Sequence, residues 1–169
     1  MPQQSNRLPR ALLSVYALWW AALAIAPRYR DAWWLENVLV FIAAPLLVLL
    51  HRRVQLSDAA CIGLFMFFCL HALGAHYTYS EVPLGFWVQE ALGLTRNHFD
   101  RVVHFSFGFL LFYPMREIII RHVTHSSFHS GLYALSLNTA ASASFEIIEM
   151  IVALKSGGIA TSETSPPST

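Results

Sequence analysis

The chain has 169 residues, of which 56% are hydrophobic and 12% charged, with a mean hydropathy of +0.48 and a formal net charge of +1. Soluble domains carry about 25% charged residues, so this composition fits a polytopic membrane protein with the lipid bilayer as its surroundings. The basic residues come in ones and twos, such as Arg52-Arg53, and no basic block exists to release counterions, which speaks against a nucleic-acid partner.

Met1 to Arg10 is short and polar and leads into a first apolar run, Ala11 to Ala26. Ala22-Leu23-Ala24 fits a small-x-small cleavage site. Ala24-Ile25-Ala26, however, is followed by Pro27, a poor residue just after a cut, and further spans follow at once. A retained first helix is the simpler reading. Arg28 to Trp34 is a turn, with Trp33 and Trp34 placed for an interfacial aromatic belt. A second span covers about Leu35 to Leu50, with Glu36 near its start, and His51-Arg52-Arg53 closes it.

Ser57 or Asp58 suits the N-cap of a third span reaching about Ala75. Its Cys61 and Cys69 lie eight residues apart, too far along a helix to bridge, and read as small buried hydrophobes. From His76 to Asn97, Pro83, Gly85 and Gly93 punctuate the chain, and Phe86-Trp87-Val88 with Ala91-Leu92 fits a short interfacial helix. A fourth span runs from about Asp100 to Ile120, where Pro114 is expected to kink it. Glu117 then pairs with Arg121 at i and i+4, or with Arg116.

After the polar loop His122 to Ser130, with its three histidines, a fifth span runs from about Gly131 to Leu154. Its Ala140 to Ser144 segment is small enough for close helix packing. Residues 155–169, mostly Gly, Ser, Thr and Pro, read as a disordered C-terminal tail. The expectation is an all-α, multi-pass integral membrane protein of about five transmembrane helices. It has one domain over 1–154, and its N-terminus lies inside on a nearly even split of basic residues.

With five successive spans, the end of the third, the start of the fourth and the end of the fifth share one side of the membrane. His71 and His76, then Asp100 and His104, then Glu146 and Glu149 therefore gather in one leaflet whichever way the protein faces. Asp100 and His104 are i and i+4, and Glu146 and Glu149 are i and i+3, so each pair shares a helix face. Glu146 lies eight residues before Leu154, roughly 12 Å into the span. A carboxylate there costs about 3 kcal/mol or more unless it meets a partner or water, and His104 and Arg101 are the candidate partners.

Three readings compete. Some set of His71, His76, Asp100, His104 and Glu146 offers a divalent metal site, although no recognised metal spacing is present, so the cofactor stays unknown. Acid/base chemistry or ligand binding would use Asp100, His104 and Glu146 as the chemical centre. His71, His76, Tyr77, Arg96, Arg101 and Glu149 would then contact the ligand. The plain alternative is a hydrogen-bonded network that fixes helix register. Tyr77 and Tyr79 read as interfacial anchors with hydroxyls available to a headgroup or sugar. The leading expectation is a membrane protein binding a polar ligand or lipid headgroup. The alternatives are a membrane-embedded enzyme acting on an envelope lipid or glycan and a structural subunit, with homo-oligomerisation open to any of them.

Three segments carry a family resemblance: His-Ala-Leu-Gly-Ala-His-Tyr-Thr-Tyr-Ser-Glu-Val-Pro at 71–83, Arg-Asn-His-Phe-Asp-Arg-Val-Val-His-Phe-Ser-Phe-Gly at 96–108, and Glu-Ile-Ile-Glu at 146–149. They resemble the YjdF family of bacterial inner-membrane proteins over most of the chain. The Asp-Arg-x-x-His-Phe segment with a later Glu-bearing span is also similar to the VanZ-like pattern, associated with glycopeptide resistance and the cell envelope. The resemblance implies a small multi-pass protein of the bacterial plasma membrane. By motif it marks Asp100, His104, Glu146 and Glu149, and it brings no established activity with it. Family members continue past the Glu-bearing span into a Gln-Gly-Asp-x-Trp-Asp type segment and a further apolar span. Here Ser156-Gly157-Gly158 and a Ser/Thr/Pro stretch stand instead. Without that span, part of the polar cluster is expected to face lipid.

Overall fold

Long apolar runs separated by Pro, Gly and basic residues can satisfy their own backbone groups in lipid as helices, and helices are what the described residues form. The computed structural model describes residues 7–163. Over these it is all-helical: α1 Arg7–Leu23, α2 Arg30–Val54, α3 Asp58–Tyr77, α4 Pro83–Leu92, α5 Phe99–His122 and α6 Ser127–Glu163. The bundle has a proximal end, where α1 and α3 begin and α2 and α5 finish. At the distal end α1 and α3 finish and α5 begins.

Among the described residues, α2, α3 and α5 are long and apolar enough to cross a membrane, with mean hydropathies of 2.0, 1.7 and 1.3. Five such helices are expected from the sequence. Of the other two candidates, α1 has 17 residues, or roughly 26 Å at 1.5 Å per residue, and α6 has 37, or roughly 56 Å. The backbone of α6 stays helical past Leu154, where the tail is expected to begin, as far as Glu163. Residues 164–169 lie outside the described residues.

At the centre is α3, which packs against α1, α2 and α5, whereas α6 packs chiefly against α5. The sequence of α3 explains its place. Phe67 and Phe68 fill the core with Tyr16, Val40, Phe99 and Val103, while Ala60, Ala72, Gly74 and Ala75 let neighbours come close. At Gly63 an added Cβ would stand 3.0 Å from the Leu110 carbonyl oxygen, so the missing side chain sets the α3–α5 approach.

Polar links seal each end. Proximally, Ser57 caps α3 by accepting from the Ala60 N–H (3.3 Å). The buried Glu117 accepts from the Ser57 N–H (2.9 Å) and hydroxyl (2.8 Å) and pairs with Arg121. Arg121 donates onward to the carbonyls of Val54 and Gln55, tying the α2–α3 loop to α5. The Trp20 Nε1–H donates to Asn37 Oδ1 (2.6 Å), and Asn37 Nδ2 donates to the Trp33 carbonyl (2.7 Å), locking α1 to α2. Trp33 itself is only 3% exposed, packed tilted against Trp20 and edge-on to Trp34 rather than in an aromatic belt. Trp34 does reach the surface. On α4, Pro83 opens the first turn and Gly93 in a left-handed conformation closes the last. Leu84, Phe86, Trp87, Val88 and Leu92 stay exposed.

A candidate polar site at the distal end

A deeply buried polar group at this end is His71, 2% exposed, six residues before the end of α3. Glu36 lies six residues into α2, which starts where α3 finishes, so both sit roughly 9 Å from the distal ends of their helices. The His71 Nε2–H donates to the Glu36 carbonyl (3.2 Å). The third member arrives from outside the helix. Thr78 and Tyr79 both adopt left-handed backbone conformations (φ 59° and 49°), and the Tyr79 N–H returns to the Gly74 carbonyl (2.8 Å). This reversal lays the Tyr79 ring over Gly74, where an added Cβ would meet ring carbons at 2.4 Å. The hydroxyl then reaches both Glu36 Oε2 (3.1 Å) and His71 Nδ1 (2.8 Å).

His71 Nε2 must carry hydrogen, since a carbonyl only accepts. The Tyr79 hydroxyl has one hydrogen and two contacts. The three side chains thus form one hydrogen-bonded network that joins α2, α3 and the turn after α3.

A second pair lies on the other side of α5. The His104 Nδ1 is 3.4 Å from Glu146 Oε1, joining α5 to α6, with the side chains 45% and 59% exposed. His104 lies five residues into α5, roughly 8 Å from its start. Asp100 shares a helix face with His104 but bonds elsewhere: Asp100 Oδ2 accepts from Arg96 Nη2 (3.0 Å), one turn earlier across the start of α5. Asp100 Oδ1 is buried without a partner among the described residues. Arg96 also donates from Nε to His98 Nδ1 (3.3 Å).

The remaining sequence candidates have other tasks. The His76 Nδ1–H donates to the Leu23 carbonyl (2.7 Å), and the His76 carbonyl accepts the Arg28 N–H (3.0 Å), docking the α1–α2 connection onto the end of α3. Arg28 pairs there with Glu81. Tyr77 sets its ring edge against His76, and Arg101 is exposed. The side chain of Glu149 lies outside the described residues. His71 thus contacts α2 while His104 contacts α6, giving two polar groupings at one end. Among the described residues, no group of three or more His, Cys, Asp or Glu side chains is placed to hold a metal ion.

Glu36 and Tyr79 are the members sequence reasoning missed. The matched depth of Glu36 and His71 on antiparallel helices was a usable signal for the first. The backbone reversal that carries Tyr79 back leaves no mark in residue type, since neither Thr78 nor Tyr79 is a glycine or asparagine.

Comparison with known proteins agrees with the membrane reading. Residues 8–164 match the family model described as "Predicted membrane protein (DUF2238)". Over 134 residues the chain is 34% identical to the inner membrane protein YjdF of Escherichia coli (strain K12), a match covering 79% of this chain and 64% of that protein. The chain thus spans a little under two thirds of the length of this relative. No solved structure matches.

Proposed function

We propose, on the premise that the chain belongs to the DUF2238 family of predicted membrane proteins and is of the YjdF inner-membrane type, that its distal end receives a polar ligand or lipid headgroup. The observation that carries this reading is the His104–Glu146 pair, an imidazole and a carboxylate left about half exposed inside two apolar helices. Ionisable groups at such depth cost about 3 kcal/mol or more in lipid unless they face water or a polar partner. An imidazole oriented by a carboxylate is also the arrangement that moves protons to and from a bound group. On this reading His104 and Glu146 contact the ligand, Arg96 and Asp100 shape its charged rim, and the His71–Tyr79–Glu36 triad fixes the helices behind it. An enzyme acting on an envelope lipid or glycan would use the same pair as its acid and base. The five-span topology, with α1 and α6 also crossing, belongs to this proposal.

A second reading has its own observation. Ala140, Ala141, Ala143 and Ser144 are exposed on α6, which packs chiefly against α5. Small residues facing outward suit close approach by another helix, from a partner subunit or a second copy.

Water accessibility separates the two. In a Cys61→Ala/Cys69→Ala background, His104→Cys should react with a membrane-impermeant maleimide from one side of the membrane only, with Phe109→Cys on the same helix unreactive. Equal lack of reaction at both positions would contradict a hydrated ligand site and favour the helix-packing reading.

A further inference from the structure

The proximal end holds a second feature, remote from the polar site. Between the first half of α1, the second half of α2 and the first half of α3 lies a cavity of about 400 Å³, within the roughly 300–1,000 Å³ range of ligand pockets. Its walls are apolar, with Leu13, Leu47, Phe65 and Phe68 among them. From Arg52 to Ala44 along α2 the lining extends roughly 12 Å at 1.5 Å per residue.

Two observations distinguish it from a packing gap. Tyr16 lines the cavity at 9% exposure, and its hydroxyl is buried with no hydrogen-bond partner among the described residues. His51 lines it too, and its Nε2 is likewise buried and unpartnered. Buried polar atoms in native structures normally find partners, so both point to an occupant with hydrogen-bonding oxygens. Arg10 and Arg52 also line the cavity and are exposed, and neither has an ion pair or hydrogen bond among the described residues. Two free guanidinium groups bordering an apolar slot complement an anion attached to a hydrocarbon chain.

We propose that this cavity is a specific seat for an anionic phospholipid of the proximal leaflet. One acyl chain lies between α1, α2 and α3, and the phosphate is held by Arg10 and Arg52. The Tyr16 hydroxyl and His51 Nε2 bond the oxygens of the ester and phosphate region. The site lies at the opposite end of the helices from His104 and Glu146, so it stands independently of the function proposed for them.

Native mass spectrometry on the delipidated full chain tests it, titrating phosphatidylglycerol, phosphatidylcholine with the same acyl chains, and glycerol phosphate alone. Each arginine near a headgroup is worth roughly a fivefold factor. One phosphatidylglycerol should therefore be retained at least tenfold more tightly than phosphatidylcholine. Arg10→Gln/Arg52→Gln should weaken it roughly ten- to thirtyfold. Leu47→Trp, which fills the cavity, should displace it, while Leu46→Trp on the exposed face should not. Because both arginines are exposed, their variant is expected to fold even if Leu47→Trp does not. Equal binding of the two phospholipids, or unchanged binding in the arginine variant, would overturn the proposal in favour of annular lipid. Glycerol phosphate binding as tightly as the lipid would overturn the acyl-chain seat.

Discussion

Tyr79→Phe isolates the hydroxyl at the centre of the buried triad. The substitution keeps the ring that rests on Gly74, and it deletes the group contacting His71 Nδ1 at 2.8 Å and Glu36 Oε2 at 3.1 Å. Interhelical hydrogen bonds measured in membrane proteins average about 0.6 kcal/mol, so two contribute about 1 kcal/mol. Leaving a buried donor or acceptor unsatisfied costs about 1–3 kcal/mol, and His71 is 2% exposed. The expected loss is therefore about 1–3 kcal/mol, readable as a shifted midpoint when unfolding is titrated with dodecyl sulfate in mixed micelles. Gly74→Ala attacks the same contact from below, because its Cβ would overlap the ring at 2.4 Å. It should cost at least as much. The two effects should not add, since both remove the same hydroxyl contacts, and the double variant should fall short of the sum by about 0.5 kcal/mol or more. A Tyr79→Phe loss below about 0.5 kcal/mol, or strict additivity, would refute the argument that the triad is a satisfied, shared network.

The other predictions concern separate parts of the bundle. Glu117→Ala should cost about 1–3 kcal/mol, because it leaves the Ser57 N–H and hydroxyl without their acceptor, while the exposed Arg121 keeps the Val54 and Gln55 carbonyls. Glu117→Gln keeps an acceptor for Ser57 and should cost less, with folded yield from membranes as the measure. Gly85→Ala should cost about 1–3 kcal/mol, since an added Cβ would come within 1.9 Å of Asn97 Oδ1. That overlap disrupts the Asn97 bonds to the Val82 carbonyl and the Phe99 N–H, which hold α4 against the start of α5. Protease sensitivity of the α4 segment in nanodiscs should rise accordingly. Trp87→Ala, by contrast, removes a side chain 69% exposed and should change detergent-phase stability by less than about 0.5 kcal/mol.

Much of this arrangement is legible in the residues. The apolar runs locate the helices but not their ends: α2 begins at Arg30, inside the expected Arg28–Trp34 turn, and α6 runs from Ser127 to Glu163. Ser57 is one of the two caps the sequence offers for α3, and Arg121, at i+4, is one of the two partners it offers Glu117. His104 is one of the two partners the sequence offers Glu146, because the antiparallel helices α5 and α6 return both residues to one end. Where side chains had to choose among neighbours, the sequence was silent. Asp100 and His104 share a helix face, yet Asp100 turns back to Arg96 before the helix starts, which frees His104 for α6. Trp33 and Trp34 are adjacent and identical in type, and only packing against Trp20 decides which is buried. Tyr79 shows the sharpest gap, since its role depends on a left-handed backbone turn that its residue type disfavours.

The most direct test of the functional reading is mass spectrometry of small molecules, lipid and metal retained by the purified wild-type protein, beside His104→Ala and Glu146→Gln. The account predicts a stoichiometric polar ligand or lipid headgroup bound to the wild type and lost from both variants, while all three insert and fold equally. A wild type that carries nothing beyond what its equally folded variants carry would contradict it, leaving the distal residues as a network that sets helix register.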